Sequence, residues 1–284
     1  MDSIGRFNLA IDYIEEHLKD KVDFDIIDQI TCCPSGLFAR MFSVLAGIPI
    51  SEYIRKRKLS CAAIDLIEGH RVIDVALQYG YESPDAFSQA FKNMHHVTPR
   101  DVLKRQSQLV HVPRITFSMT MKGVQTMKYQ LIQKEAFTVV GRSIKTSSED
   151  NMKHHTITKF WQDAPKQGLD ETLCHLGPDK PFLGVCYGME KDGSFRYMIG
   201  VETTKNDQTL EKLEIPKSTW AVFESIGPMP DAIQRVWRQV YEDFFPSSGY
   251  RHAGTPDFES YPESGSDRKD YRCEVWIPIV KQDK

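Results

Sequence analysis

Two patterns that would place a protein in a membrane or outside the cell are missing from this sequence. No run of about 18 apolar residues occurs, and residues 1–17 read as an amphipathic helix with acidic residues, not as a basic region followed by an apolar export core. The six cysteines form no CxxC pair and no spacing typical of a disulfide framework or a zinc site. We therefore expect a cytoplasmic protein without a membrane partner, with reduced thiols and with neither metal nor other cofactor.

The chain also lacks the strong positive charge that is common in nucleic-acid-binding proteins. Its formal net charge is −3, and acidic residues slightly outnumber basic ones within residues 1–107. Affinity for phosphates depends on where cations lie as well as on their sum. Any binding to DNA would therefore have to come from local clusters of cations.

What the sequence does contain is a change of hydrophobic period near its middle. Up to about residue 106, apolar residues recur at three- and four-residue spacing between Gly and Pro, which predicts short helices. The later part alternates like strands, rich in aromatic and β-branched residues, with helices predicted at about 150–168 and 230–245. The predicted strands cover residues 128–133, 137–144, 182–189, 195–203, 218–226, 256–261 and 272–280.

This change of period predicts a multidomain fold. We expect an all-α domain at residues 1–106, a linker at 107–126 and an α+β domain at 127–284. In the last of these, the order strand, strand, helix, strand, strand occurs broadly twice. The order therefore predicts a duplicated unit.

The segment IDVALQYGYESPDAFSQAFKN predicts a helix-turn-helix unit. Its first helix stops at Gly80, and Ser83 with Pro84 supplies the N-cap and the first turn of the next helix. Phe87 and Phe91 are four residues apart and can anchor that second helix in a core. Its other face is then left for a DNA groove.

The earlier segment FDIIDQITCCPSGLFARMF repeats the plan. It has a turn at Cys32 to Pro34 and a second helix that starts at Ser35 and is anchored by Phe38 and Phe42. Between the two units lies a helix with four consecutive cations, residues 55–58, which could span the units and contact phosphates. Two such units within about 70 residues are far more specific than one.

Residues 5–105 resemble the AraC/XylS family of transcription regulators, most clearly in SEYIRKRKLSCAA and ALQYGYESPDAFSQAFKNMHHVTP. In that family a rigid helix separates two recognition helices that enter successive major-groove segments about 34 Å apart. The resemblance implies double-stranded DNA and RNA polymerase as partners and an activator role. It implies that bases are read by Gly36, Arg40, Pro84, Asp85, Ser88 and Gln89. We expect contacts to phosphates from Arg55, Arg57 and Lys92.

Three positions depart from the family pattern. A large side chain is common where Gly36 stands and a glycine where His96 stands, and Pro49 lies one position earlier than the usual proline. A target DNA sequence therefore cannot be transferred from a relative.

Residues 127–281 resemble GyrI-like effector-binding domains, in the segments IPKSTWAVFESIGPMPDAI, FFPSSGYRHAGTPDFESYP and CEVWIPI. The resemblance implies a pseudo-twofold α+β duplication whose cleft is lined by aromatics and holds an acidic residue. Glu259 matches that carboxylate, and Tyr261 follows two residues later on the same strand face. Glu274 and Trp276 stand in the same relation on the last strand. Further candidates for the wall are Trp161, Tyr187, Tyr197, Trp220 and Phe223.

A carboxylate in an apolar cleft favours a cationic aromatic guest. The buried charge costs free energy until a cation pairs with it, and ring faces attract cations by about 0.5–2 kcal/mol each. The predicted function is therefore a transcription regulator that senses a small aromatic cation. The alternative is that the aromatics are core, that Glu259 pairs with Arg251 or Arg272, and that Glu274 sits in a structural ion pair.

Two other functions remain open. The cleft could belong to a hydrolase that uses glutamate and aromatic residues on small electrophiles, or the C-terminal half could dock protein partners without a ligand. The fused DNA-binding half argues against catalysis as the main role, so we do not expect an enzyme. The adjacent pairs Cys32–Cys33, His95–His96 and His154–His155 are predicted to be packed residues and not a redox sensor or metal sites.

Overall fold

The helical N-terminal half contains two helix-turn-helix units joined by one long helix. The computed structural model describes residues 3–102, 108–118, 127–262 and 268–282. The helices of this half are α1 (Ser3–Glu16), α2 (Phe24–Thr31), α3 (Ser35–Ala46), α4 (Ile50–Ile67), α5 (Val72–Gln78) and α6 (Pro84–His95). The first unit is α2 and α3, the second is α5 and α6, and α4 connects them. The two units predicted from the sequence are confirmed.

Local signals in the sequence fix the ends of α6. The Ser83 side chain accepts a hydrogen bond from the Ala86 N–H at 3.1 Å, and Pro84 occupies the first turn. At the other end His96 has a left-handed backbone with φ of 62° and donates its N–H to the Lys92 carbonyl. Glycine is favoured at such a position, which accounts for the glycine that the family commonly has where His96 stands and means that His96 carries some backbone strain.

Part of the predicted linker is packed against the helical half. Along residues 108–118, the Phe117 N–H donates to Asn8 Oδ1 at 2.8 Å and the Val112 N–H donates to Ser60 Oγ at 3.1 Å. This segment also carries Arg114, which pairs with Asp12 of α1. Residues 108–118 are therefore a fixed part of the N-terminal half.

The C-terminal half is one antiparallel sheet with helices inserted between its strands. The strands are β1 (Gln130–Lys134), β2 (Phe137–Ser147), β3 (Phe182–Tyr187), β4 (Ser194–Glu202), β5 (Glu211–Ile215), β6 (Ser218–Ile226), β7 (Tyr250–His252), β8 (Asp257–Tyr261) and β9 (Arg272–Lys281). The helices are α7 (Ser148–His154), α8 (Thr156–Asp163), α9 (Leu169–Leu176), α10 (Asp231–Gln239) and α11 (Phe245–Ser248). A 3-10 turn (Pro165–Gln167) follows α8, and a π-helical segment (Val240–Phe244) follows α10.

The sheet order confirms the predicted duplication. The strands lie in the order β1-β6-β9-β8-β3-β4-β2-β5, with β7 paired to β9. One repeat comprises β1 to β4, and the other comprises β5, β6, β8 and β9. From the centre outward, one side of the sheet has β3, β4, β2 and β5, and the other side has β8, β9, β6 and β1. Each side therefore ends with the first strand of the other repeat. The first strands are thus exchanged, because β1 pairs with β6 and β5 pairs with β2.

The two halves of the molecule share one apolar cluster. It includes Phe7 and Phe42 from the helical half and Trp237, Tyr241 and Val275 from the sheet half, all buried. Burial of this kind stabilises the contact in rough proportion to the apolar area removed from water. The halves therefore pack against each other as well as being joined by the chain.

Among the described helices, none by itself is long and apolar enough to cross a membrane. The pair α3 and α4 passes a test of length and composition only when taken together, with a bend of 71° between them.

Candidate effector site and DNA-binding surface

A cavity of about 1190 Å³ lies between the helices and one face of the sheet. The sheet contributes side chains from β3, β4 and β8, and α8, α9 and α10 close its sides. Helix α3 of the N-terminal half supplies a further wall. The lining includes Arg40, Trp161, Tyr197, Trp237, Glu259 and Tyr261. Its volume is slightly above the range of about 300–1,000 Å³ that is typical of small-molecule sites.

Glu259 lies at the centre of a hydrogen-bond network of neutral donors. Trp237 Nε1 donates to Glu259 Oε1 at 2.9 Å, and the hydroxyls of Tyr261 and Tyr197 donate to Oε2 at 2.8 and 3.1 Å. Trp161 Nε1 donates to the Tyr197 hydroxyl at 2.9 Å. Among the described residues, no Lys, Arg or His forms an ion pair with this carboxylate. Glu259 is therefore held in place without being neutralised.

The backbone of β3 makes room for this network at Gly184. A Cβ atom at this position would lie 2.0 Å from the Tyr197 hydroxyl and 3.3 Å from Glu259 Oε2. Gly184 pairs directly with Glu259 across the β3–β8 ladder. Sequence reasoning missed both Gly184 and Trp237, since glycine in a strand signals close approach only once its neighbours are known.

Burial has the largest effect on the pKa values of the Glu259, Tyr197 and Tyr261 side chains. It raises the pKa of the Glu259 carboxyl, against the opposing effect of the hydrogen bonds from Trp237 and Tyr261. Burial and the nearby Glu259 charge raise the pKa of the Tyr197 and Tyr261 hydroxyls well above the usual range. Both tyrosines therefore stay protonated and keep donating to the carboxylate.

Arg40 reaches into the same region from α3. Its Nη1 lies 2.9 and 2.6 Å from the two carboxylate oxygens of Asp257, and its guanidinium carbon lies 4.4 Å from the centre of the Trp237 ring. The His252 Nδ1 accepts from the Gly254 N–H, so the proton is on Nε2, which lies 3.2 Å from Asp257. Burial alone would raise the pKa of Asp257, but Arg40 and His252 hold it below its ordinary value. The Arg40–Asp257 pair is therefore an ion pair between the two halves of the chain.

The structure brings together four of the nine predicted ligand residues. Glu259, Tyr261, Tyr197 and Trp161 all line the cavity. The expectation for the other five is corrected. Glu274, Trp276, Trp220, Tyr187 and Phe223 do not line it.

The period of the strands explains the five corrections. Glu259 pairs with Val275, so Glu274 and Trp276 point to the opposite face of the sheet, where Trp276 stacks on Phe258 at 5.3 Å between ring centres. Trp220 and Tyr187 lie in the apolar cluster on that same opposite face. Phe223 is on the cleft side of the sheet but is covered by Phe244, with 5.0 Å between ring centres.

Neither of the two arginines proposed as structural partners of Glu259 forms an ion pair with it. Arg272 pairs with Glu224, and Arg251 lines a separate cavity of about 160 Å³. Glu274 accepts a hydrogen bond from Trp276 Nε1 at 2.8 Å. Neither glutamate therefore has, among the described residues, the ion pair that the alternative interpretation required.

The second recognition helix is open to solvent on one face. Phe87 and Phe91 are fully buried and anchor α6, as the sequence predicted. The predicted contact residues on the other face are accessible, with Asp85, Gln89 and Lys92 exposed and Pro84 and Ser88 half-buried. This face is therefore accessible, as the predicted contact with a DNA groove requires.

The first recognition helix is covered. Gly36 is buried, and a Cβ atom there would lie 2.6 Å from the Glu190 carbonyl oxygen in the turn between β3 and β4. Arg40 is bound to Asp257, with 11% of its side chain exposed. In this arrangement neither residue is free to face bases, so their reading role stays a prediction that requires α3 to leave this position.

Only one of the two predicted phosphate contacts on α4 is available. Arg55 is exposed, whereas Arg57 is buried and held by Glu15, with Nη2 to Oε2 at 2.7 Å, and by the Val112 carbonyl at 2.6 Å. The expectation that Arg57 contacts phosphates is therefore corrected. Its guanidinium ties α4 to α1 and to residues 108–118.

The adjacent cysteine and histidine pairs behave as packed or surface residues. Cys32 is exposed at the end of α2, and burial raises the pKa of the Cys33 thiol to about 11, which opposes thiolate chemistry. His95 is buried, with its Nε2 3.2 Å from the Leu59 carbonyl, and burial lowers its pKa. Within the described ranges, no group of three or more His, Cys, Asp or Glu residues could hold a metal ion.

Comparisons with known proteins agree with this two-part architecture. A family described as integron-associated effector binding protein matches residues 130–279, and a helix-turn-helix domain matches residues 29–105. The chain is 25% identical to the transcriptional regulator Rob of Salmonella typhimurium over 296 residues, covering 98% of this chain and 99% of Rob.

Two further similarities cover one half each. An uncharacterized HTH-type transcriptional regulator of Bacillus subtilis, YbfP, is 37% identical over 100 residues, which is 34% of each chain. The solved structure of SAV2435 bound to tetraphenylphosphonium is 26% identical and covers 54% of this chain and 94% of that chain, with a TM-score of 0.49. With its AraC-type helix-turn-helix half and its GyrI-like half, this chain belongs to the integron-associated effector binding protein family and is a DNA-binding transcription regulator.

Proposed function

We propose that this regulator senses a small aromatic cation in the cavity at Glu259 and changes transcription in response. The observation that carries the proposal is a half-buried carboxylate without an ionic partner among the described residues, surrounded by Trp161, Trp237, Tyr197 and Tyr261. Ring faces and an unneutralised carboxylate together favour a cation that is itself apolar.

The other charges around the cavity do not cancel this preference. Arg40 is paired with Asp257, and its charge favours the ionised form of Glu259 without forming an ion pair with it. Lys180 and Arg238 line the cavity but are exposed, so water screens them more than it screens Glu259. The unpaired charge in the protected part of the cleft is therefore negative.

The proposal extends to the setting in which the protein works. Its relatives are transcription regulators, which supports a cleft that binds and does not catalyse. We infer a cytoplasmic protein whose partners are double-stranded DNA and RNA polymerase. The exposed face of α6, with Asp85, Gln89 and Lys92, supports a direct contact with a DNA groove.

Replacing Glu259 with Gln tests the charge at constant shape. Calorimetric titration would compare N-methylacridinium with neutral acridine, at mildly alkaline pH, in wild type and in Glu259→Gln. Loss of a buried charge partner typically costs several kcal/mol, so we expect the cation to bind at least about tenfold more weakly and the neutral compound to change little.

Glu274→Gln is the matched control, because Glu274 lies on the opposite face of the sheet and does not line the cavity. It should leave both affinities unchanged. Equal losses for both compounds in Glu259→Gln would show that Glu259 is structural. Cation binding that is insensitive to Glu259→Gln would refute the proposed recognition.

A further inference from the structure

One face of α3 is covered by the C-terminal half along its length. Gly36 lies against the Glu190 backbone and Ala39 against Gly193, where a Cβ would lie 3.6 Å from the Ala39 Cβ. Arg40 follows, bound to Asp257. Residues 36, 39, 40 and 43 share one helix face by spacing, and Gly36 and Arg40 are predicted base readers on it. The contact therefore covers the surface that α3 would present to DNA.

The same helix also forms part of the effector cavity. Arg40, Ser43, Val44 and Gly47 line it from the N-terminal half, opposite the sheet. A ligand in this cavity would contact residues of both halves. Those contacts with α3 exist only while α3 is in its covered position.

We infer that the effector site is a composite of both halves, and that an effector bound there holds α3 away from DNA. Arg40 is then shared by two exclusive states, paired with Asp257 beside the occupied cavity or facing bases in the groove. This inference rests on the proposed function, since it assigns the consequence of filling the same cavity.

Whether the effector weakens or strengthens DNA binding through α3 follows from the position of α3 beside the cavity. Its volume of about 1190 Å³ exists with α3 in place, so a ligand enters without first separating the halves. A ligand shifts an equilibrium towards the state with which it makes more contacts, which here is the covered state. By reciprocity, DNA that engages α3 must weaken effector binding by the same factor.

Asp257→Asn tests the inference because Asp257 belongs to the C-terminal half and is not a proposed DNA contact. Removing its charge leaves the Arg40 guanidinium without its partner and favours its release into water. In a gel-shift titration of the ligand-free chain, we expect about tenfold tighter DNA binding, and about tenfold weaker binding of N-methylacridinium by calorimetry. The two affinities must move in opposite directions.

Lys191→Ala is the matched control. Lys191 also pairs across the two halves, with Asp25, but both side chains are more than half exposed. Exposed pairs contribute little, so DNA and ligand affinities should stay within about twofold of wild type. If Asp257→Asn strengthened both affinities, the ligand would open the contact and the inference would be wrong.

A disulfide provides a test that does not depend on a ligand or on the buried ion pair. In Ala39→Cys/Gly193→Cys, with the exposed Cys32 and Cys174 changed to Ser, the separation of 3.6 Å between the Ala39 Cβ and a Cβ at position 193 fits a disulfide. Oxidation should lower DNA affinity at least about tenfold, and reductant should restore it. Gly193 has a φ of 80°, so Gly193→Cys introduces backbone strain that is present in both redox forms, and the reduced protein is therefore the control.

The outcomes separate this inference from the proposed function. If N-methylacridinium does not bind wild type, the proposed effector class is wrong, whereas the DNA results for Asp257→Asn and for the disulfide still decide whether α3 is withheld. If oxidised and reduced forms bind DNA equally, the covered face of α3 is not a DNA-reading face and the inference is overturned.

Discussion

At the scale of single residues, the Glu259 carboxyl predicts how effector binding depends on pH. Burial raises its pKa above the ordinary value. Arg40 stays charged and Asp257 ionised, since their pKa values move away from this range, and Tyr197, Tyr261 and Cys186 stay protonated. We expect N-methylacridinium to bind more tightly as pH rises through the folded pKa of Glu259 and then to level off.

The free energy of unfolding should fall over the same pH range in which the affinity for N-methylacridinium rises. A carboxyl whose folded pKa is raised stabilises the fold while protonated, and this contribution is lost as pH rises through the folded pKa. Wild type should therefore lose stability relative to Glu259→Gln as pH rises across that window. Denaturant unfolding of both proteins at several pH values measures this difference. A constant difference would mean that Glu259 titrates normally.

The sequence located the residues of the cleft only in part, for a physical reason. Glu259 and Tyr261 share a strand face by their spacing, and the structure keeps that relation. The same spacing holds for Glu274 and Trp276, but which face of the sheet they occupy depends on the pairing of Glu259 with Val275. The register between strands that are distant in the sequence cannot be derived from the spacing of residues within one strand.

At the scale of elements, α4 shows that four consecutive cations on a helix cannot all contact phosphates. Successive residues on a helix point about 100° apart, so Arg55 faces solvent while Arg57 faces Glu15. We expect Arg57→Ala to lower the free energy of unfolding by about 2–4 kcal/mol, because it leaves the Glu15 carboxylate unpaired. Arg55→Ala should leave stability unchanged and lower the salt slope of DNA binding by about 1.

Denaturant unfolding and gel shifts at several salt concentrations check both variants. A lower salt slope in folded Arg57→Ala, equal to that in Arg55→Ala, would mean that Arg57 contacts phosphates after all. Unchanged stability in Arg57→Ala would mean that its pair with Glu15 contributes nothing net.

Elements with strong local signals were predicted best. The turn at Gly80, the cap at Ser83 and the anchors Phe87 and Phe91 all lie within a few residues of α6. The single helix predicted at 150–168 is instead divided, because His155 and Gly168 adopt left-handed backbones. The strands β5 and β7 were missed, since β5 is largely charged and exposed and β7 has only three residues.

At the scale of the whole molecule, the two recognition helices are unequal. In the ligand-free chain α6 is open and α3 is covered. Because binding through α3 must first break its contact with the C-terminal half, selection of duplexes from a random pool should recover a strong motif segment read by α6 and a weaker segment read by α3. Gln89→Ala should cost about 1–3 kcal/mol on the segment read by α6 and relax its preference, and Lys92→Ala should weaken all duplexes alike.

Recovery of two equally strong motif segments one helical turn apart by the ligand-free protein would contradict this expectation. The sequence predicted both helix-turn-helix units, but it did not predict that α3 is covered while α6 is open. The ion-pair partner of Arg40 is Asp257, which lies more than 200 positions further along the chain. Contacts of such separation depend on how the halves pack, which no local pattern specifies.

The exchange of first strands in the sheet has a consequence for the order of events during synthesis. β9 is the last strand made, yet it pairs with β6, β7 and β8, and β1 is held only through β6. The sheet half therefore cannot be completed until β9 has left the ribosome, although β2, β3, β4 and β5 pair with one another without it, while the helical half is made first. At ~5–20 residues per second, this delay is on the order of ten seconds or more. Asp257 is made late in that interval, so Arg40 lacks its ion-pair partner for most of it and the contact that covers α3 stays incomplete during synthesis.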